Sequence, residues 1–529
     1  MGLLLVITTL VFVFFLLTVL TVAWITFFTY YWTPMHIRRF MRRQGVHGPS
    51  PKFLVGNLKD SASMVSASIA SDMDFISHDI VSRLMPHYVL WSKIYGMCAR
   101  AEDSLCKKFI YWYGSEPRLC LTDTDMIKEL LSSKYVQLTG KSWLQRQGSK
   151  NLIGDGLLMA NGSNWFHQRH VVAPAFMADK LKSHVGYMVE CTRQMIKSLV
   201  EDVGSGQSEV EIGAYMTRLT GDIISRTGFD SSYEKGKKIF QLLERLQSLT
   251  AQSSRYLWIP GSRYFPSKYR REIKQLKEQV DRVLMEIIDC RKEAAEFGRS
   301  SASGRGLLEM LLDEVQKKRD DGLSYSLKLV MDECKTFFFA GHETSALLLT
   351  WTIMLLATNP SWQEKARSEV AEVCGRLPPS AEDLPKLTSL HLIINESLRL
   401  YPPATLLPRM AFQDMKLGDL MIPKGLSIWI PVLAIHHDED IWGKDANEFQ
   451  PERFAGRSFS LTRHFLPFAA GPRNCVGQAY AMMEAKIVLA MFLSAFSFTI
   501  SNNYRHAPIN VLTLRPKHGV LVHLTPLDY

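Results

Sequence analysis

The sequence is poor in several things, and each shortage excludes something. It has only 8 cysteines in 529 residues: Cys98, Cys106, Cys120, Cys191, Cys290, Cys334, Cys374 and Cys475. None forms a CxxC pair, so a disulfide framework is excluded and a reducing compartment fits better. No Pro/Gly/Ser-rich linker divides the chain after residue 60, and no repeat or low-complexity tract is visible. One large globular body is expected rather than a string of domains. Nucleotide-binding loops are missing too. Gly154-Asp155-Gly156 is followed by Met159 where a dinucleotide loop wants glycine, and Gly140-Lys141-Ser142 lacks the earlier glycine of a P-loop. Any electrons from a nicotinamide would have to arrive through another protein.

Charge is missing in one place above all. Residues 1–35 carry no charged side chain, and the first acidic residue is Asp60. The run from Leu3 to Tyr31 is apolar and long enough to span a bilayer as a single helix. A cleaved signal peptide fits less well, because the stretch is too long and no positive residue precedes it. Arg38, Arg39, Arg42 and Arg43 follow, which places them and the rest of the chain on the cytosolic side. Residues 1–35 thus read as a transmembrane anchor, 36–60 as a basic, proline-containing hinge, and 61–529 as the catalytic domain. Gly48, Pro49 and Pro51 break regular structure, as an ordinary linker or as a stiff orienting hinge. The apolar tract 346–357 is shorter and continues a helical pattern, as a buried core helix would. The net charge of +10 comes from 62 basic and 52 acidic residues scattered among one another. That favours a mildly basic surface facing a membrane or an acidic protein over nucleic acid.

What is present is mostly helical. Apolar spacings of three and four predict helices over 179–203, 267–298, 306–318, 325–358 and 361–374. Strand-like runs are short: 109–113, 118–122, 427–433 and 520–524. The expected fold is mainly α with a small β subdomain.

The strongest signal is Phe468-Ala-Ala-Gly471-Pro-Arg473-Asn-Cys475-Val-Gly477. Gly471 and Gly477 let the backbone bend closely around a sulfur. A helical run over 478–496 begins just after Cys475, and a thiol at a helix N-terminus is favoured as thiolate. Arg473 supplies a fixed positive charge suited to a cofactor carboxylate, and Phe468 can shield the sulfur. The plain alternative, a buried cysteine packed as a small hydrophobe, does not account for four further residues at fixed spacing. Elsewhere, Gly341 stands mid-way along a helical run in Ala340-Gly341-His342-Glu343-Thr344, where glycine is costly. Glu396 and Arg399 share a helix face and can pair; Glu364 and Arg367 match the same spacing and read as a surface pair. His342 and His464 read as packing residues rather than ligands.

FxxGxRxCxG, AGxET and ExxR followed by Pro451-Glu-Arg453-Phe454 together resemble the cytochrome P450 superfamily, over nearly the whole chain after the hinge. The resemblance implies that fold, preceded by one N-terminal transmembrane helix, and haem b with Cys475 as its axial iron ligand. A thiolate ligand favours O–O bond cleavage. It further implies Trp165, Arg169, Arg409 and Arg473 as contacts of the haem propionates. Phe468 stands beside the thiolate. Glu343 and Thr344 become the acid–alcohol pair that delivers protons, with Gly341 loosening the helix there. Glu396, Arg399 and Arg453 become a buried structural network. A relative that rearranges peroxides without dioxygen typically lacks the acid–alcohol pair, and a haem carrier or sensor needs no proton-delivering threonine.

Longer stretches, 150–176, 260–277, 331–351, 395–411 and 425–454, are similar to the plant branch of the superfamily that hydroxylates cytokinins. That resemblance implies attack on the trans methyl of the isopentenyl side chain of an adenine nucleotide, giving a trans-zeatin type. It also implies dioxygen, electrons from NADPH through NADPH–cytochrome P450 reductase, and a single-pass place in the endoplasmic reticulum membrane. The same chemistry on another plant hormone or a terpenoid is the alternative. The chain departs from the pattern after Tyr95-Gly96, where residues 97–106 intervene before Lys107. They are expected to form an exposed, poorly ordered surface loop.

Overall fold

The computed structural model describes residues 2–96, 108–229, 233–254, 257, 259, 268–296, 306–317, 325–456 and 463–527. The insert at 97–106 lies outside them. The apolar N-terminus forms helix α1 (Gly2–Phe27), continued by a single π-helical turn (Phe28–Trp32) into α2 (Thr33–Arg43). Val6–Arg43 is one helical run of 38 residues, long and apolar enough to cross a membrane. Two of its threonines bond within the helix: the Thr18 and Thr21 hydroxyls donate to the carbonyls of Phe14 and Leu17 at 2.8 and 2.7 Å. Hydrocarbon requires such internal pairing.

The basic segment at 36–43 is therefore helix. Ile37 and Met41 on α2 are buried, while Arg38, Arg39, Arg42 and Arg43 stay at least partly exposed. Three contacts dock the following chain. The Gln44 side chain exchanges hydrogen bonds with the backbone of Met421 at 3.0 and 2.7 Å. His47 accepts from the Ile110 N–H at 2.9 Å. Gly48 lies so close to strand β1 (Lys108–Tyr113) that a Cβ there would stand 1.7 Å from the Ile110 carbonyl oxygen. These contacts hold Gln44, His47 and Gly48 against the body of the protein.

Strand β1 opens a five-stranded sheet with β2 (Glu116–Leu121), β3 (Thr139–Gly140), β5 (Leu407–Ala411) and β6 (Ser427–Ile430), in the order β1-β2-β6-β5-β3. Only β2 and β6 run parallel. Its apolar face, with Ile110, Trp112, Leu119 and Ile428, forms one core with α2. A second sheet joins β4 (Glu209–Glu211) and β7 (Phe496–Ile500) to β10 (Leu521–Pro526), and β8 (Pro508–Val511) pairs with β9 (Thr513–Pro516) as a hairpin. The expected strand at 427–433 stops at Ile430. Pro431 cannot donate to a ladder, and a short helix takes over at Val432–His436.

The helical body carries the larger core. Its helices include α3 (Gly162–Val172), α4 (Ala178–Gly204), α5 (Ile212–Phe229), α6 (Tyr233–Ser254), α7 (Lys268–Glu296), α8 (Leu307–Gln316), α9 (Leu327–Thr358), α10 (Pro360–Cys374), α11 (Thr388–Leu400) and α12 (Gln478–Ala495). The central helix α9 touches α5, α8, α11 and α12. It is capped by Ser326, whose hydroxyl accepts from Leu329 N–H at 3.2 Å. The tract 346–357 lies inside this core, with Leu349, Trp351, Ile353 and Met354 fully buried. A helix apolar on all sides belongs there.

The Glu396–Arg399 pair is fully buried and bidentate, at 2.8 Å twice. Arg399 also donates to the carbonyls of His436 and Ala446, at 2.7 and 2.6 Å. Arg453 Nε stands 3.5 Å from the Glu396 carboxylate. Arg367 differs from its expected role. Besides Glu364 it donates to the carbonyls of Leu493 and Phe496, at 3.1 Å each, and so ties α10 to α12 and β7.

Candidate functional site

The cysteine loop is bent by two residues in the left-handed region, Ala469 (φ 57°) and Gly471 (φ 69°). At Gly471 no side chain fits, because a Cβ would lie 1.8 Å from the Leu131 carbonyl oxygen. The turn is closed by the Cys475 N–H donating to the Phe468 carbonyl at 2.9 Å. Phe468 itself is half-buried against the large core. Gly477 has an ordinary φ of −91° and is the N-cap of α12. It does not bend the loop, and a Cβ there would meet the Cys475 sulfur at 4.0 Å, in ordinary van der Waals contact.

The Cys475 side chain is accessible, yet burial pushes its thiol pKa up, opposed by the Gly477 N–H and the Arg169 charge. A sulfur both accessible and crowded lines a recess rather than the outer surface. Arg169, on α3, clamps the adjoining residue. Its guanidinium donates to the Asn474 carbonyl at 2.8 Å and to the Asn474 side-chain oxygen at 2.9 Å.

Around the recess the structure gathers three cations, Arg473, Arg409 and Lys141. Arg473 stacks over the Trp165 ring, 4.5 Å from its centroid, and donates to the Ala160 carbonyl at 3.1 Å. Its Nε is buried and has no partner. Arg409, on β5, is buried and donates to its neighbour, the Pro408 carbonyl, at 2.9 Å. Lys141 completes the group. Burial, and then the charges of Arg409 and Arg473, push its pKa down to about 7. Burial first and the Arg409 charge second bring Arg473 down to about 9, and burial brings Arg409 to about 10. Three cations gathered by burial, with Arg409 lowering the other two and Arg473 leaving an N–H orphaned, suit an anionic partner. Together with an accessible sulfur on the same loop, the residues present fit a haem with its two propionates.

Sequence reasoning missed Lys141. The Gly140-Lys141-Ser142 triplet that fails as a P-loop is instead a helix start: Ser142 and Gln145 form a capping box. Asn161, the N-cap of α3, holds the Lys141 backbone by two hydrogen bonds of 2.8 and 2.9 Å. No local signal marks that lysine, because its partners lie about 270 and 330 residues away along the chain.

On α9, the Thr344 hydroxyl donates to the Ala340 carbonyl at 2.6 Å. The helix runs unbroken through Gly341. Here glycine also serves packing, since a Cβ would sit 3.0 Å from Ile224 of α5. Glu343 is buried. It accepts from the Thr513 hydroxyl at 2.6 Å and pairs with the Arg515 guanidinium, both on β9. His342 is stacked on Phe240 with centroids 4.5 Å apart, the packing role expected of it. Sequence reasoning missed Thr513 and Arg515 as well, since neither stands in a motif.

The comparisons with known proteins agree with this geometry. The family model for cytochrome P450 matches residues 84–522. A cytokinin hydroxylase of Arabidopsis thaliana is 60% identical over 517 residues, covering 97% of this chain and 98% of its own length. A second cytokinin hydroxylase of the same plant is 61% identical over 500 residues, 94% of each chain. A cytochrome P450 of Panax ginseng is 38% identical over 504 residues, 94% of this chain and 93% of its own.

Proposed function

The chain belongs to the cytochrome P450 family and is a monooxygenase, and on that premise we propose that it hydroxylates the trans methyl of the isopentenyl side chain of adenine-derived cytokinin nucleotides. The observation that carries the reading is near-full-length identity of 60% and 61% to two proteins named cytokinin hydroxylase. When bound, haem b supplies the activation of dioxygen and the insertion of one oxygen atom into a C–H bond.

The residues of this chain do the rest. Cys475 would hold the haem iron through its sulfur, and the Gly477 N–H and the Arg169 charge favour its thiolate. Trp165, Arg409, Arg473 and Lys141 would hold the haem propionates. Phe468 closes the loop over the sulfur. Glu343 and Thr344 move the proton that oxygen activation requires. Electrons come from NADPH through NADPH–cytochrome P450 reductase. The apolar helix holds the enzyme in the endoplasmic reticulum membrane with the catalytic domain in the cytosol.

The test uses microsomes containing the chain and added reductase, given NADPH and isopentenyladenosine monophosphate. The expected product carries a trans hydroxyl and is identified by mass spectrometry against standards. Cys475→Ser should give none of it and lose the thiolate-type carbonyl spectrum. A parent enzyme with that spectrum intact and no trans-hydroxylated product would sink the substrate assignment.

A further inference from the structure

Glu343 and Thr344 are adjacent, but successive helical residues are rotated by about 100° and face different ways. His342, Glu343, Ala346 and Thr350 line a cleft of about 590 Å³, walled also by α5, α6 and β9. On that side the Glu343 carboxylate is held by Thr513 and Arg515. These two are two apart on β9 and so face the same side. Leu514 between them is anchored: its carbonyl accepts from Trp351 Nε1 at 3.1 Å, and its N–H donates to Pro403 at 3.1 Å.

Exposure ranks the partners. The Arg515 side chain is 28% exposed and that of Glu343 10%, so the guanidinium stands between the acid and cleft water. The other ionisable groups facing the cleft are Glu211, Arg218, Asp222 and Glu244. Glu211 is already occupied by the N–H groups of Gly213, Ala214 and Val520. Burial lowers the His342 pKa to about 4, so this ring brings no charge.

We propose that Arg515, with Thr513, is a positioning residue for proton delivery: it stations Glu343 at the inner end of this cleft, which is the enzyme's proton inlet. The carboxylate takes a proton from cleft water, turns away from the hairpin, and passes it to the Thr344 hydroxyl oxygen. Thr344 gives up its own hydrogen into the recess as it gains the new one, and the carboxylate returns to Arg515. Each turn moves one proton inward and leaves the three side chains as they began. At rest the Thr344 hydrogen is parked on the Ala340 carbonyl. The inference rests on the roles proposed above for Glu343 and Thr344.

The test measures product formed per NADPH, peroxide released, and the solvent isotope effect, with the full chain and reductase in phospholipid nanodiscs. In Arg515→Gln, product per NADPH should fall at least about fivefold, less than the roughly 10²–10⁴-fold that the proton donor itself contributes, because Glu343 remains. Peroxide should take up the difference and the solvent isotope effect should rise, with the carbonyl spectrum unchanged. Arg515→Lys, which keeps a cation, should recover most of the coupling. Should Arg515→Gln fail to fold, Thr513→Val replaces it, with a smaller loss in the same direction expected. A folded Arg515→Gln, or Thr513→Val in its stead, with parental coupling and isotope effect overturns the inference. So does an equal loss in Arg515→Lys. Glu343→Gln separates premise from inference: if it stays coupled, the role of Glu343 fails and the inference with it. If Glu343→Gln uncouples and Arg515→Gln does not, the premise stands and the inference alone falls.

Discussion

A single residue illustrates how charge is placed to receive a ligand. In the protein without its cofactor, Lys141 has a folded pKa of about 7 against an ordinary 10.5. The unfolded chain therefore binds more protons between those values. The penalty is complete below about pH 7 and fades as pH rises toward the unfolded value. A dianionic ligand reverses the sign, because it favours the charged amine. Lys141→Met should thus raise the melting temperature of the cofactor-free protein at pH 7 and flatten its rise with pH. The same substitution should make the haem-loaded protein lose its cofactor faster to apomyoglobin. Opposite signs in the two states distinguish a ligand-binding lysine from a structural one.

At the scale of elements, identical spacing carries unequal weight. Glu396–Arg399 and Glu364–Arg367 are both ExxR. The first pair is fully buried and stitches α11 to the carbonyls of His436 and Ala446. Arg399→Leu leaves the Glu396 charge buried with its main partner gone, which costs about 3–5 kcal/mol. Against a typical margin of about 5–15 kcal/mol, that is severe. Thermal melts should drop steeply, and little protein should show the carbonyl spectrum. Glu364 is 66% exposed, so Glu364→Ala should change stability by no more than about 1 kcal/mol. The same contrast explains the misread Arg367: its carbonyl partners on α12 and β7 lie about 130 residues away, and no local pattern announces them.

At the scale of the whole molecule, the N-terminus does two separable things. α1 is exposed and apolar, whereas α2 inserts Ile37 and Met41 into the core beneath the five-stranded sheet. Removing residues 2–27 should release the protein from membranes in flotation assays with its melting temperature nearly unchanged. Removing residues 2–43 also strips the buried Ile37 and Met41 from the core, each contributing about 1.5–3 kcal/mol. That longer truncation should melt several degrees lower. Equal melting of the two truncations would show that the docked helix contributes nothing.

Much of this architecture was legible in the chain alone, because its determinants are local. Helix periods fell within one or two residues of the observed bounds in 179–203 and 361–374. The Pro431 that ends β6 was visible and overlooked, since the apolar run continued past it. The cysteine loop was legible because close backbone bending and a thiolate at a helix start confine their residues to fixed spacing. By itself the sequence determined the apolar N-terminal helix, the mainly helical body and its family. Only the tertiary structure decided which charges meet. Lys141 joins Arg409 and Arg473, and Arg515 reaches Glu343, across 170 to 330 residues of chain. Electrostatic pairing acts through space over a few ångströms, and a one-dimensional pattern carries no record of it.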